Sequence, residues 1–457
     1  MQGQERKIVI CGAGIAGIAA AYFLTLRGMR NITLVDERAP LSLTSDKSTE
    51  AYRNWWPGPD GAMISLMNRS IDLLERLAQE SGYRFHLNRR GYLYTTASRE
   101  GVQQLQKSAA LAEEQGAGPV RVYASGHPTP GPLPPDGYAQ QNAGADLLLN
   151  PNLIQARFPY LSTGIRAALH VRRCGWFSGQ QLGMTMLEAA RARGARLLQA
   201  RVEGLDIVDN EIAGVHVRQA AGQQTLPCAT FVNAAGPMIK HVAAMMQISL
   251  PVFSELHLKA SIKDTACIVP REAPLLILND PQILPWSEEE RQFLAQDPET
   301  RPLLEGLPGG VHARPEGSGA SQDLLMLWPY HTPIMEPHFP IPIDETYPEI
   351  VLRGCSTLIP GLQQYLQRMP KPFVDGGYYT KTRENRPLIG PLSVRGAYLI
   401  GALSGFGLMS ACGAAELLAN HILGDDLPAY APAFLPSRYQ DPHYLQRLAT
   451  WKEEGQL

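Results

Sequence analysis

Near the start of the chain, Gly12-Ala13-Gly14-Ile15-Ala16-Gly17 places glycine at the first, third and sixth positions directly after an apolar run. Each glycine meets a different demand of phosphate binding. The first permits a tight turn, the second lets the backbone approach a pyrophosphate, and the third lets a following helix pack closely on the preceding strand. Free N–H groups at the start of that helix, from Ile15 and Ala16 onward, then face the phosphates. Asp36, with Glu37 beside it, stands about 20 residues further on, where a carboxylate accepts hydrogen bonds from ribose hydroxyls. Arg38 would suit a 2′-phosphate but Asp36 would repel one, which disfavours NADP. FAD and NAD share this fingerprint, and the motif alone leaves the two open.

For the motif to work, the chain around it must fold as strand, helix, strand. Residues 7–11 form a short apolar run suited to a strand buried on both faces, 15–26 an alanine-rich helix, and 31–35 a second parallel strand. The crossover of such a βαβ unit is right-handed. Apolar residues at helical spacing predict a helix over 63–78, and a second over 179–193 stops at Gly194. Strands are predicted at 195–200 and 229–233, with a hairpin joining 204–208 to 212–217 through Asp209-Asn210. Residues 126–152 open on GHPTPGPLPPDGY and read as an irregular connection. From 251 to 370 short apolar runs alternate with prolines, which predicts an antiparallel sheet with long loops. The uncharged segment 396–415 is as long as a membrane span, but five glycines and two serines interrupt it. Strand, glycine loop and buried helix is the reading there.

Composition narrows the partners. A formal net charge of -2 with 44% apolar residues creates no strong field, so nucleic acid and acidic membranes are not expected partners. Cys11, Cys174, Cys228, Cys267, Cys355 and Cys412 lie far apart, with no paired or metal-ligand spacing, which points to a reduced, cytoplasmic chain. His312, His331 and His338 form no metal spacing either, and no metal site is expected. The apolar run after Arg6 and Lys7 breaks at a glycine turn, too soon for an export signal.

A second set of motifs lies near the other end, in DGGYYTKTRENRPLIGP and AYLIGALSGFGLMSACGAAELLANHILG. With these the chain resembles the D-amino-acid oxidase-like family of FAD enzymes, which includes glycine oxidase, sarcosine oxidase and dimethylglycine dehydrogenase. Glu384-Asn385-Arg386-Pro387-Leu388-Ile389-Gly390 resembles the family's flavin-side turn, and Ser404-Gly405-Phe406-Gly407-Leu408-Met409 its loop over the isoalloxazine ring. SDKSTEAYR, running from Ser45 through Lys47, Ser48 and Thr49 to Arg53, is similar to the family's flavin-contacting loop. FVNAAGPM, with Ala235 and Gly236, is similar to its central strand and turn. No second G-x-G-x-x-G or cysteine pair accompanies them, as a two-dinucleotide reductase would require.

The resemblance implies an α/β fold: a Rossmann-like FAD-binding domain interleaved with an antiparallel-sheet α+β substrate domain. The FAD-binding domain is expected at 1–84, 152–248 and 371–430, the substrate domain at 85–151 and 249–370, and a tail at 431–457. The implied reaction oxidises a C–N bond of a small amine or amino acid by hydride transfer to flavin N5. The imine is then hydrolysed, and oxygen or an electron carrier is the final acceptor. Alternatives are a dehydrogenase serving a quinone or carrier protein and a non-catalytic FAD-binding or assembly subunit. An NAD-dependent dehydrogenase is disfavoured by the C-terminal flavin loop.

Site residues follow from the resemblance. The cofactor set is Gly12, Gly14, Ile15, Ala16, Gly17, Asp36, Glu37, Ser45, Lys47, Ser48, Thr49, Val202, Ala235, Gly236, Gly405, Phe406, Gly407, Leu408 and Met409. Arg53 corresponds to a substrate-carboxylate arginine of sarcosine oxidase. Tyr379 falls where that enzyme has a substrate-site tyrosine and glycine oxidase its carboxylate-binding arginine. Alternation in a strand puts Tyr379 and Lys381 on one face, making Lys381 a substitute cation. His257, Lys259 and Tyr330 are further substrate-side candidates, Lys259 also for oxygen activation through its charge. No catalytic acid or base is assigned. Gly377 stands where monomeric sarcosine oxidase links its flavin through cysteine, so the FAD is expected to be non-covalent. Met409 occupies that enzyme's carboxylate-binding lysine position.

Overall fold

A computed structural model describes residues 6–56, 58–124, 143–317 and 319–451. The predicted βαβ unit is present as the strand Ile8–Cys11, the helix Ile15–Leu26 and the strand Ile32–Asp36. Those strands are the centre of a six-stranded sheet ordered Leu388–Pro391, Ala397–Gly401, Thr230–Asn233, Ile8–Cys11, Ile32–Asp36, Arg196–Gln199. All its pairs are parallel except the outermost, Leu388–Pro391 on Ala397–Gly401. One face is covered by the helices Ile15–Leu26, Ala62–Glu80, Gly179–Ala192 and Gly407–Leu423, through a core that includes Ile18, Leu66, Leu182 and Ala411. A three-stranded antiparallel sheet, Arg201–Val208, Glu211–Gln219 and Gly222–Pro227, closes the other face with Val202, Val215 and Val217.

A nine-stranded sheet forms the second layer system, ordered Phe373–Lys381, Phe253–Lys263, Asp323–Leu327, Val311–Glu316, Leu275–Leu278, Tyr92–Thr96, Ala167–Val171, Ala145–Leu148, Val120–Tyr123. Side chains alternate across its strands, so each strand contributes to two surfaces. Ala260, Ile262, Ala313, Met326 and Trp328 turn to one face and pack on the helix Tyr347–Leu358. The intervening residues, among them His257, His312 and Tyr379, turn to the opposite face and toward the dinucleotide part.

Two strands cross the boundaries drawn from sequence. Ala167–Val171 and Phe373–Lys381 lie in segments assigned to the FAD-binding part, yet both hydrogen-bond within the nine-stranded sheet. The reason is that Ala167–Val171 is buried along its whole length between two neighbouring strands. Part of the expected irregular connection is also regular. Ala145–Leu148 is a buried strand and Pro151–Arg157 a helix capped by Asn150, while residues 126–142 lie outside the described residues. Segment 396–415 does fold as strand, loop and helix, the helix Gly407–Leu423 ending at Gly424 in the left-handed conformation. Among the described residues no helix is long and apolar enough to cross a membrane.

Candidate functional site

The glycine motif forms the floor of an elongated cavity of about 410 Å³. Gly12 adopts φ +112°, and a Cβ there would meet the Ala234 carbonyl oxygen at 2.4 Å. At Gly17 a Cβ would lie 1.9 Å from the Gly12 oxygen, so this glycine sets helix–strand contact and does not line the cavity. Gly14 is different, since its Cβ would meet only the Ser45 hydroxyl, at 3.3 Å. The Ile15 N–H, at the start of the helix, donates to that hydroxyl at 3.0 Å. Asp36 accepts from the Ala13 N–H at 2.7 Å and the Arg38 N–H at 2.9 Å. Burial raises its pKa, and these two N–H groups partly offset the rise.

Gly12, Gly14, Ile15, Ala16, Asp36 and Glu37 line the cavity together with Val202, Ala235 and Gly236. Ser45, beside Gly14 and Ile15, lines the same cavity, as do Ser48, Gly405, Gly407 and Leu408. A cradle lined by a helix N-terminus and by a carboxylate at the end of the second strand fits a dinucleotide such as FAD.

A second cavity of about 70 Å³ adjoins the first, and Tyr379 and Gly405 line both. Contact there is close: a Cβ on Gly405 would fall 2.5 Å from the Tyr379 ring. Aromatic rings dominate its wall, with Trp56, Tyr92, Trp328 and Phe406, and the polar groups include Arg53, His257, His312 and His331 beside two threonines, Thr49 and Thr332. No carboxylate is among its lining residues. Phe406, Met409 and Thr49, expected on the flavin, line this smaller cavity instead of the elongated one. The turn at 404–407 rotates Phe406 away, onto Trp56 at 5.1 Å edge to face.

Arg53 is buried at the end of the short strand Ala51–Arg53. Its guanidinium donates to the Tyr94 hydroxyl at 3.0 Å and lies 4.2 Å from the Trp56 ring centroid. Stacking on an aromatic face holds the fork in one orientation.

Four expected roles change, those of Lys381, Lys259, Lys47 and Tyr330, none of which lines either cavity. Lys381 shares a face with Tyr379 as alternation required, but its ammonium donates to both oxygens of Glu255 at 3.2 Å and it lines neither cavity. A lysine whose charge is matched by a buried carboxylate is not the carboxylate receptor. Lys259 lines neither cavity and donates to the Ser48 carbonyl at 3.0 Å. Arg314 reaches the next carbonyl, Thr49, at 2.6 Å, while Lys47 pairs with Asp46 and Asp375. These cations fasten the 45–50 loop to the nine-stranded sheet. Tyr330 stacks on Tyr347 at 5.9 Å beside Trp328, behind the cavity wall.

The sequence reading missed Glu255, Trp56, Tyr92, Trp328, His312 and Arg314. Alternation in VHARPE was the available signal for the last two, because it puts His312 and Arg314 on one face. The His312 Nδ1–H donates to the Gly310 carbonyl at 2.9 Å. Burial, with the charges of Arg53 and Arg314, pushes this imidazole down to about 4, so it is neutral at physiological pH. Among the described residues no cluster of three or more His, Cys, Asp or Glu gathers as a metal site.

The profile of the DAO family, FAD dependent oxidoreductase, matches residues 7–421. The chain belongs to this family of FAD-dependent oxidoreductases. FAD is therefore the dinucleotide, and the family's enzymes are oxidases and dehydrogenases acting on amines or amino acids. No curated protein matches this family member in sequence. Its fold is shared with solved structures. L-proline dehydrogenase from P. horikoshii superposes with a TM-score of 0.71 at 19% identity, over 96% of this chain and 98% of that one. Glycine oxidase from Geobacillus kaustophilus gives 0.69 at 15% identity, over 92% and 95%. Iminodiacetate oxidase from Chelativorans sp. BNC1 gives 0.67 at 17% identity, over 94% and 99%.

Proposed function

We propose that this FAD-dependent oxidoreductase oxidises the C–N bond of a small amino or imino acid, with the substrate carboxylate on Arg53. The observation that carries this reading is the small cavity, joined to the cofactor cavity at Tyr379 and Gly405, with a buried arginine and no carboxylate on its wall. An arginine fork matches a carboxylate. The aromatic wall suits a small apolar body, and its size excludes a large side chain. Glycine and proline, the compounds named for two structural neighbours, have this form, whereas iminodiacetate, named for a third, carries a second carboxylate.

In this reading Gly12, Gly14 and the helix start hold the pyrophosphate of FAD. Asp36 and Glu37 take the ribose, Ser45 stands beside the pyrophosphate at the helix start, and Ser48 and the 404–408 loop flank the ring. Gly377 offers no side chain for a covalent flavin link. Bound FAD supplies the two-electron acceptor for the substrate C–H hydride. The protein orients that carbon: Arg53 anchors one end of the substrate, and Tyr379 and Phe406 confine the other while excluding water.

The test is anaerobic bleaching of the yellow holoenzyme by a panel of glycine, sarcosine, proline, iminodiacetate and other small D- and L-amino acids. Arg53→Gln should retain FAD yet lose about two to three orders of magnitude in kcat/KM, as truncating a buried partner of a charge pair costs about 2–5 kcal/mol. Unchanged kcat/KM with the bleaching substrate would remove Arg53 from the site.

A further inference from the structure

An amino acid reaches such a site as an ammonium, but hydride leaves the carbon only when the nitrogen lone pair is free to form the C=N bond. A proton must therefore go somewhere, and three imidazoles line the small cavity. His331 is exposed, and His312 has Arg53 and Arg314 as charged neighbours. His257 differs from both. Its Nε2 lies 3.0 Å from a Glu255 oxygen, and its ring stacks on Tyr379 at 4.0 Å with planes 19° apart.

Glu255 is held ionised: burial raises its pKa, but His257 and Lys381 lower it by more. A carboxylate only accepts, so Nε2 carries the imidazole proton and Nδ1 keeps the lone pair. Among the described residues nothing hydrogen-bonds to Nδ1. The groups facing His257 are Glu255 on its own strand, Lys381 and Tyr379 on the edge strand, and His312 and Arg53 across the cavity. Burial lowers its pKa and Glu255 offsets part of that, which leaves it neutral and able to accept.

We infer that His257 takes the proton from the substrate ammonium, with Glu255 and Lys381 as positioning residues that fix its tautomer. The inference rests on the amino-acid reading above. In this step the substrate N–H bond breaks, its electron pair stays on nitrogen, and the proton bonds to Nδ1. That lone pair then forms C=N as the C–H pair leaves as hydride to bound FAD, and water hydrolyses the imine.

The experiment is stopped-flow anaerobic bleaching of holoenzyme across pH, using the panel compound that reduces the wild type. His257→Gln should keep its FAD and lose about 100-fold in kcat/KM at neutral pH. Its kcat/KM should then climb about tenfold per pH unit as the free amine becomes available in solution. Glu255→Gln made together with Lys381→Met keeps the network neutral. Because Glu255 raises the His257 pKa by more than Lys381 lowers it, this pair should move the acid limb of kcat/KM to lower pH.

A His257→Gln profile parallel to the wild type, at any rate, would overturn the inference while leaving the amino-acid reading standing. No bleaching of the wild type by any panel member would overturn both. Should His257→Gln lose its FAD, the wild type decides alone. Two substrates of different ammonium pKa must share one acid limb, and a limb that moves with the substrate sinks the proposal.

Discussion

Gly14→Val should give a folded, colourless protein. The three glycines of the motif are not equivalent, and the geometry says which one can be changed without wrecking the fold. At Gly12 any side chain strains a backbone at φ +112° and strikes the Ala234 carbonyl; at Gly17 it strikes the Gly12 carbonyl. Gly14 has extended backbone angles that valine adopts, and the only atom near its Cβ position is the Ser45 hydroxyl. The valine methyls therefore enter the cavity, over the helix N-terminus where a pyrophosphate must approach. The expected result is FAD content at background after purification, with a circular dichroism spectrum and thermal midpoint equal to those of wild-type protein stripped of FAD. Comparison with the stripped form matters, because a bound ligand raises the midpoint by mass action. A fully flavinated variant would contradict the cofactor placement, and an unfolded one would show that Gly14 serves the chain and not the phosphate.

The difference between Gly14 and its neighbours also shows what was legible in the sequence. The βαβ unit and its glycine turn are local, so spacing within about 30 residues carries their whole logic. Alternation is also local, and it placed Tyr379 and Lys381 on one face of their strand. What a side chain meets across the sheet depends on register, and Glu255 lies opposite Tyr379 only because Phe253–Lys263 pairs with Phe373–Lys381 in one alignment. Without that register Lys381 reads as a free cation; with it, Lys381 is half of a buried pair. Alternation could place Arg314 on its sheet face, but its partner was unreadable for the same reason, since it holds a carbonyl 265 positions away. Lys259 shows the limit of inferring a role from charge. Its position on the correct sheet face was implied by the pattern, but the Ser48 carbonyl takes its ammonium before any substrate does.

Arg438→Met should be strongly destabilising. The tail folds back so that Arg438 donates to Glu384 through Nε at 3.1 Å and Nη2 at 2.7 Å, with both side chains buried. Tyr439 and Tyr444 each add a hydroxyl donor to the same Glu384 oxygen at 2.7 Å. Further Arg438 donors reach the carbonyls of Pro387 at 3.0 Å and Leu435 at 3.2 Å. One side chain thus ties the tail to the 384–387 turn that leads into the flavin side of the fold. Removing it strands a buried carboxylate, a loss of about 3–5 kcal/mol, and Glu384→Gln made with it should recover part of that loss. The pH dependence fixes the sign. In the wild type burial raises the Glu384 pKa, but Arg438 and the tyrosines lower it by more, to a value below the ordinary 4.5. Its contribution is therefore present above about pH 4.5 and is lost as pH falls through the depressed folded value. In Arg438→Met only burial and the two hydroxyls act, the carboxyl takes a proton sooner, and protonation relieves the stranded charge. The gap between wild-type and variant urea midpoints should be widest near neutral pH and narrow on acidification. A gap that stays constant from neutral to acid would mean that packing, and not the Glu384 charge, is what Arg438 supplies.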